Sequence, residues 1–215
     1  FETHWGELLR ARRTSADYQM SVAMTWDLAF KQVEEQHPRA ADVLSICLYL
    51  SPESIPRQLL RDAASHVPDT NARAFDGHAF EAHALAAPAP VQSGALASVL
   101  SDALSCGEAI GQLARYSLVD TGDRVLRIHP LASALGRERL SIEERRTWAS
   151  VAARTVASTF AFDGVSMHSW RGATDLLPHA LAAGSHADAL GVAPEAVRSL
   201  YNHAGLYLLC QARYD

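Results

Sequence analysis

The sequence predicts a mainly α-helical protein with one small β-hairpin, and three observations carry that prediction. Apolar residues recur at helical spacing in separate stretches, from Val22, Trp26, Ala29, Phe30 and Val33 to Val197, Tyr201, Ala204 and Leu208. One stretch, Ser117 to Ile128, instead reads as two strands around a turn at Thr121, Gly122 and Asp123. The composition is globular: 48% of the 215 residues are hydrophobic and 20% are charged, too few charges for a solvated, disordered chain.

Taken in order, Trp5 to Arg13 reads as the tail of a helix, with Arg10, Arg12 and Arg13 suited to the negative end of its dipole. An amphipathic helix runs from about Ser21 to Glu35 and is broken at His37 and Pro38. Val43 to Leu50 is apolar on nearly all sides, which predicts a helix central to the core. Ser51 to Pro56 is a turn, and Pro56 starts a third helix carrying Leu59, Leu60 and Ala63. From Val67 to about Gly94 no period is sustained, and Ala87 to Pro90 alternates alanine with proline. That stretch is expected to be an irregular insertion and the first target of a nonspecific protease.

Ser105 to Leu140 is the most informative stretch. Ser105 and Glu108 have the spacing of a capping box, and Ile110, Leu113 and Ala114 form the apolar stripe of the helix behind them. Ser117 to Asp120 and Arg124 to Ile128 are the two strands, and His129–Pro130 opens the next helix. Helix, hairpin and helix in this order are the layout of a winged helix.

Everything beyond Leu140 reads as helical. Ser141 and Glu144 form a second capping box, before a helix whose stripe includes Trp148, Val151, Ala152, Thr155 and Thr159. Phe162 to Gly164 ends it. The next helix covers about Thr174 to Ala187, with Pro178 tolerable only near its first turn or at a kink, and the last begins near Pro194.

Bulk chemistry narrows the function. A net charge of −5 argues against a nucleic-acid binder. Cys47, Cys106 and Cys210 are scattered without a Cys-x-x-Cys and read as buried, reduced thiols of a cytosolic protein. No apolar run approaches the roughly 18 residues of a membrane span, and Phe1 to His4 is unlike a secretory signal, so no membrane association and a cytoplasmic location are expected. The chain starts without methionine and stops in mid-helix, so it is expected to be a piece of a longer protein.

Motifs for catalysis are missing. There is no phosphate loop and no G-x-G-x-x-G; Gly107 and Gly111 lie in a helix without lysine. The chain alone is therefore expected not to be an enzyme, with no catalytic residue. His66, His78 and His83 lack the spacing of a zinc site, and no metal ligand is expected. Asp175 and His179 lie one helical turn apart without a placed nucleophile and read as a solvated surface pair. Arg137, Arg139, Arg145 and Arg146, interleaved with Glu138, Glu143 and Glu144, read as an ion-paired exposed face.

Two sets of residues resemble known architectures. Tyr201, Ala204, Gly205 and Leu208 have the spacing of the first helix of a tetratricopeptide repeat, with Gly205 at its small position. Ser21 to Phe30, the helix ending at Tyr49 and Leu50, Ile55 to Leu60, Ala114 to Val119 and Arg127 to Leu131 together resemble the winged-helix portion of bacterial signal-transduction NTPases of the STAND class, NB-ARC type. These commonly continue into tetratricopeptide repeats.

The resemblance implies an organisation and a role. Residues 1–17 would end a helical lid, 18–140 would be the winged helix with its insertion at about 67–94, 141–190 a helical linker bundle, and 191–215 the first, truncated repeat helix. The winged helix would hold an ADP-bound closed state and relay ligand sensing from the repeats. ADP or ATP would bind a nucleotide-binding domain absent from this chain, with none bound by the fragment alone. The partners implied are that domain, an unknown protein or small-molecule ligand at the repeats, and further copies of the protein on activation. The family's Met-His-Asp motif falls on Ile128, His129 and Pro130, so only His129 carries over, as a phosphate sensor; Pro130 stands where the family has its aspartate. An imidazole can donate a hydrogen bond to a phosphate oxygen, and a strand-to-helix junction can offer free N–H groups to an anion.

Two other readings stand beside it. A DNA-binding winged helix of a transcription regulator would read bases through the helix after Ser105, which offers Gln112 and Arg115 against Glu108. A helical protein-interaction scaffold would use the repeats, of which only a start is present.

Overall fold

The computed structural model describes residues 24–68, 96–162 and 167–211. Over these the chain is mainly helical, with one small three-stranded antiparallel sheet. The expected helix at Trp5 to Arg13, the lid segment 1–17, and His78 and His83 of the insertion fall outside the described residues.

Helix α1 occupies residues 24–36 and turns Ala29, Phe30 and Val33 into the core, with Trp26 at its margin. It stops at His37 because Pro38 has no N–H to continue it, and the fixed φ of Pro38 suits the first turn of α2 (Pro38–Cys47). Every residue from Ala40 to Leu50 is buried, as expected of an all-round apolar helix.

The chain then leaves α2 through Ser51–Ser54 into β1 (Ile55–Pro56) and α3 (Arg57–Asp62), which ends in a 3-10 turn at Ala63–Ser65. Sequence predicts no strand here, because two residues carry no period. Tertiary pairing makes it: Ile55 lies opposite Leu126 and Pro56 opposite Val125.

Helices α4 (Leu96–Ser101) and α5 (Ala103–Arg115) meet at Asp102. The expected capping box at Ser105 does not form. Asp102 is the N-cap instead, its carboxylate accepting the Ser105 N–H at 2.7 Å, so Ser105 lies inside the first turn. Its extended backbone separates the two helices.

The end of α5 also departs from expectation. Ser117 is no strand residue. It adopts φ 56° and closes the helix: its N–H bonds the Ala114 carbonyl and the Leu118 N–H bonds the Leu113 carbonyl. This is the paired bond pattern of a Schellman C-cap, with serine where glycine is usual. Strands β2 (Asp120–Thr121) and β3 (Val125–Arg127) follow, pairing Asp120 with Arg127 and Thr121 with Leu126, and the sheet order is β1-β3-β2. Arg57 fastens α3 to the hairpin tip, donating from Nη2 to the Gly122 carbonyl at 3.0 Å and from its N–H to that of Arg124 at 2.9 Å.

Helix α6 (Pro130–Arg139) begins at His129–Pro130 as expected. The Ser141–Glu144 capping box forms in full at the head of α7 (Ile142–Thr159). Helix α8 (Met167–Ala189) is longer than expected and carries Pro178 in its interior rather than its first turn. It ends in a second Schellman cap, with Gly191 at φ 64°. Helix α9 (Pro194–Gln211) buries Val197, Leu200, Ala204 and Tyr207, so its inner face lies one column away from the expected Tyr201 and Leu208.

The core is continuous from α1 to α9, with Trp148 of α7 fully buried within it. Phe162, Trp170 and Tyr207 form a second aromatic group, with ring centroids 5.2 to 5.8 Å apart. Gly184 lets α8 approach Tyr201 of α9: a Cβ there would lie 3.1 Å from the ring. Gly205 meets nothing within 4 Å among the described residues.

Within the arginine cluster, Arg137, Arg139 and Arg145 tie helices together instead of pairing with the interleaved glutamates. Arg137 donates to the Leu48 carbonyl at 2.7 Å and Arg145 to the carbonyls of Leu140 and Glu138. Arg139 reaches across to Asp27 and Glu34 of α1. Within the described residues, no helix is long and apolar enough to cross a membrane.

Candidate functional site

His129 sits where β3 meets α6. Proline at the first helical position forces the preceding residue into extended backbone, and His129 accordingly has φ −62° and ψ 131°. Its Nδ1 accepts the Leu131 N–H at 3.2 Å, so in the neutral ring the proton lies on Nε2. The Trp26 ring of α1 packs against the imidazole, 5.1 Å between centroids. The side chain is otherwise exposed.

It borders an open groove of about 860 Å³. Pro52, Glu53 and Ser54 form one wall, Ala114 with Ser117 to Thr121 another, and Arg127 to Pro130 a third. The groove's charge is mixed. Arg127 lies 3.9 Å from Asp120, and Glu53 adds a second carboxylate. The junction also offers few free backbone donors. Pro130 has none, the Leu131 N–H is used by His129 Nδ1, and the Ser133 N–H bonds the His129 carbonyl. The expected anion-friendly N–H cluster is therefore largely consumed by the helix's own cap. The imidazole is the exposed side-chain donor the junction offers an incoming acceptor.

The wall at Pro52 is held from both sides. The Ile128 N–H donates to the Pro52 carbonyl at 2.8 Å, tying the turn to the β3–α6 junction. From the other side, His179 of α8 grips the same turn: its Nδ1 accepts the Ser51 N–H at 3.2 Å, and its Nε2–H donates to the Ser54 carbonyl at 2.8 Å. Both ring nitrogens are thus used in their neutral roles. His179 is 1% exposed, and burial pushes its pKa down.

The expectation of a surface pair fails here. Asp175 is exposed, while His179 is buried a turn away. A signal was present: His179 adjoins the stripe Ala180, Ala183 and Ala187, all fully buried. Starting the helix near Thr174 hides it, because that places Pro178 and His179 close to the helix start, whereas the helix begins at Met167 and His179 lies in its middle.

Other candidate chemistry is dispersed. His66 Nε2 lies 3.1 Å from Ser158 Oγ, and burial followed by Arg154 lowers its pKa. Among the described residues no group of His, Cys, Asp and Glu could hold a metal ion. Cys47, Cys106 and Cys210 are free thiols; burial pushes Cys47 up to about 12, which makes it a poor nucleophile.

No protein-family model, curated protein or solved structure matches the chain.

Proposed function

We propose that this chain is the winged-helix and sensor-linker portion of a cytoplasmic bacterial nucleotide switch, whose His129 contacts the phosphates of ADP held by a neighbouring nucleotide-binding domain. One observation carries the reading. His129 is exposed at the edge of an open groove, with Nδ1 occupied by its own helix cap, so that its Nε2–H is left to donate outward. The order α2, β1, α3, α4, α5, β2, β3, in which α4 is an extra short helix, and the sheet order β1-β3-β2 support a winged helix, and the α7–α9 region would relay a signal from tetratricopeptide repeats.

The groove's balance of Arg127 against Asp120 and Glu53 suits a contact made to a nucleotide already neutralised by another domain. It does not suit capture of free phosphate. A direct DNA reader is less well supported: the outer face of α5 presents Leu104, Glu108, Gly111 and Arg115, and Leu104 is 72% exposed. A scaffold role would rest on α9 alone.

The test is the rate at which ADP leaves the protein that carries both this chain and its nucleotide domain. His129→Ala removes one hydrogen bond to an anion and should speed release about tenfold, or ~1.4 kcal/mol. An unchanged off-rate would remove the sensor assignment.

A further inference from the structure

We infer that His179 is a latch coupling the α8–α9 hairpin to the His129 groove: when its imidazole releases the Ser51–Ser54 turn, the β3–α6 junction loosens with it.

The path consists of consecutive hydrogen bonds. One imidazole clamps both ends of the turn, at the Ser51 N–H and the Ser54 carbonyl. The middle of that turn, the Pro52 carbonyl, receives the Ile128 N–H next to His129. Both the clamp and Pro52, Glu53 and Ser54 of the groove wall therefore belong to one short segment. On the far side, α8 is joined to α9 by the Thr174–Tyr207 hydroxyl contact at 2.8 Å and by the Gly184–Tyr201 approach. A displacement of the hairpin thus bears directly on His179.

Two chemical features make this contact a latch rather than ordinary packing. Pro178 precedes it and lacks the N–H that would bond the Thr174 carbonyl, so α8 has a missing rung beside the clamp. The clamp also requires the neutral ring. A proton added at Nδ1 would face the Ser51 N–H, donor against donor, and that bond would be lost.

Among the described residues, the surroundings do not supply a counter-charge. Glu53 of the turn is exposed, and Asp175 and His186 lie along α8 on either side. Arg137 and Tyr49 lie beyond, on the side of His186. None of these is hydrogen-bonded to the imidazole, which uses both nitrogens on backbone. The buried faces of α7 and α9 carry no charged side chain. Protonation is therefore opposed by the folded state and, once it occurs, opens the latch.

Amide hydrogen exchange on the intact chain tests this without any nucleotide, so the outcome is independent of the ADP reading. The Ser51 N–H reports the latch, the Ile128 N–H reports the junction, and the Leu113 N–H inside α5 is the control. After correction for intrinsic exchange, lowering the pH from about 7.5 to about 5 should reduce protection at Ser51 and Ile128 together, by about tenfold relative to Leu113. His179→Gln should abolish that pH dependence, and His179→Phe should produce the low-protection state at neutral pH. Should His179→Phe fail to fold, the wild-type pH series and His179→Gln decide. The inference is overturned if neither amide responds to pH, if Ser51 is released while Ile128 stays protected, or if the glutamine variant keeps the wild-type pH dependence.

Discussion

Gly136 and Gly111 show how differently two glycines in helices can matter. A Cβ on Gly136 would lie 2.9 Å from both terminal methyls of Leu48 and 3.1 Å from the Phe30 ring. Leu48 and Phe30 are themselves buried, and the void beside them, about 10 Å³, is too small to receive a methyl group. Overpacking of this kind costs about 1–3 kcal/mol, against a gain of about 1 kcal/mol in helix propensity. Gly136→Ala should therefore lower the denaturant midpoint. Gly111→Ala, where a Cβ meets nothing within 4 Å, should raise it by about 1 kcal/mol of stability. Equal effects at the two sites would mean that α6 does not approach α2 as closely as described. The same closeness lets Arg137 reach the Leu48 carbonyl, so the α6–α2 contact is both packed and hydrogen-bonded.

At the scale of elements, the caps decide where helices stop and what surrounds His129. Ser117 holds a left-handed conformation that serine tolerates poorly, and it does so at a wall of the groove. Ser117→Gly should stabilise the chain by about 0.5–1 kcal/mol without moving α5 or β2, because glycine is the usual residue of a Schellman cap. A thermal midpoint that falls would show that the serine side chain contributes more than its backbone costs. The Ser141–Glu144 box at α7 is wholly local: the Ser141 Oγ accepts the Glu144 N–H, and the Glu144 carboxylate takes the Ser141 N–H and hydroxyl. Helix α8 depends on context. With Pro178 in its interior it loses one internal bond, and its continuity is maintained by burial of Ala173, Ala180, Ala183 and Ala187 against α7 and α9.

For the whole molecule, the histidines set the response to acid. Burial depresses the pKa of His179 and, with help from Arg137, that of His186; burial and then Arg154 do the same for His66. Each is thus harder to protonate in the folded chain than in the unfolded one, where an ordinary histidine titrates near 6.5. The unfolded state takes up protons first, so stability is full above about 6.5 and declines as pH falls through the lowered folded values. Asp27 and Asp102, held below the usual carboxylate value first by hydrogen bonds from Lys31 and Ser105, add a second decline of the same sign below 3.8. Urea midpoints should therefore drop between about pH 7 and about pH 5, and His179→Gln should flatten that drop. A midpoint constant over this window would contradict the neutral, buried imidazole.

Local chemistry made much of this legible in the sequence. Pro38 and Pro130 marked helix starts, Ser141 and Glu144 marked a cap, and the hairpin centred on Gly122 was placed within a few residues, because each depends on neighbours in the chain. His129 was located at the strand-to-helix junction for the same reason. What the sequence did not determine depends on distant partners. The two-residue β1 exists only because Ile55 meets Leu126; the cap at α5 is the local exception, where Asp102 and Ser105 were both suited and Asp102 took the role. Arg139 found Asp27 and Glu34 more than a hundred residues away instead of its sequence neighbours. The partners of His179 were decided by tertiary structure, although the buried alanine stripe beside it hinted at its burial. A histidine one turn from an aspartate looks solvated in sequence, and only the packing of α8 against the Ser51–Ser54 turn removes water from it and fixes both its nitrogens on backbone.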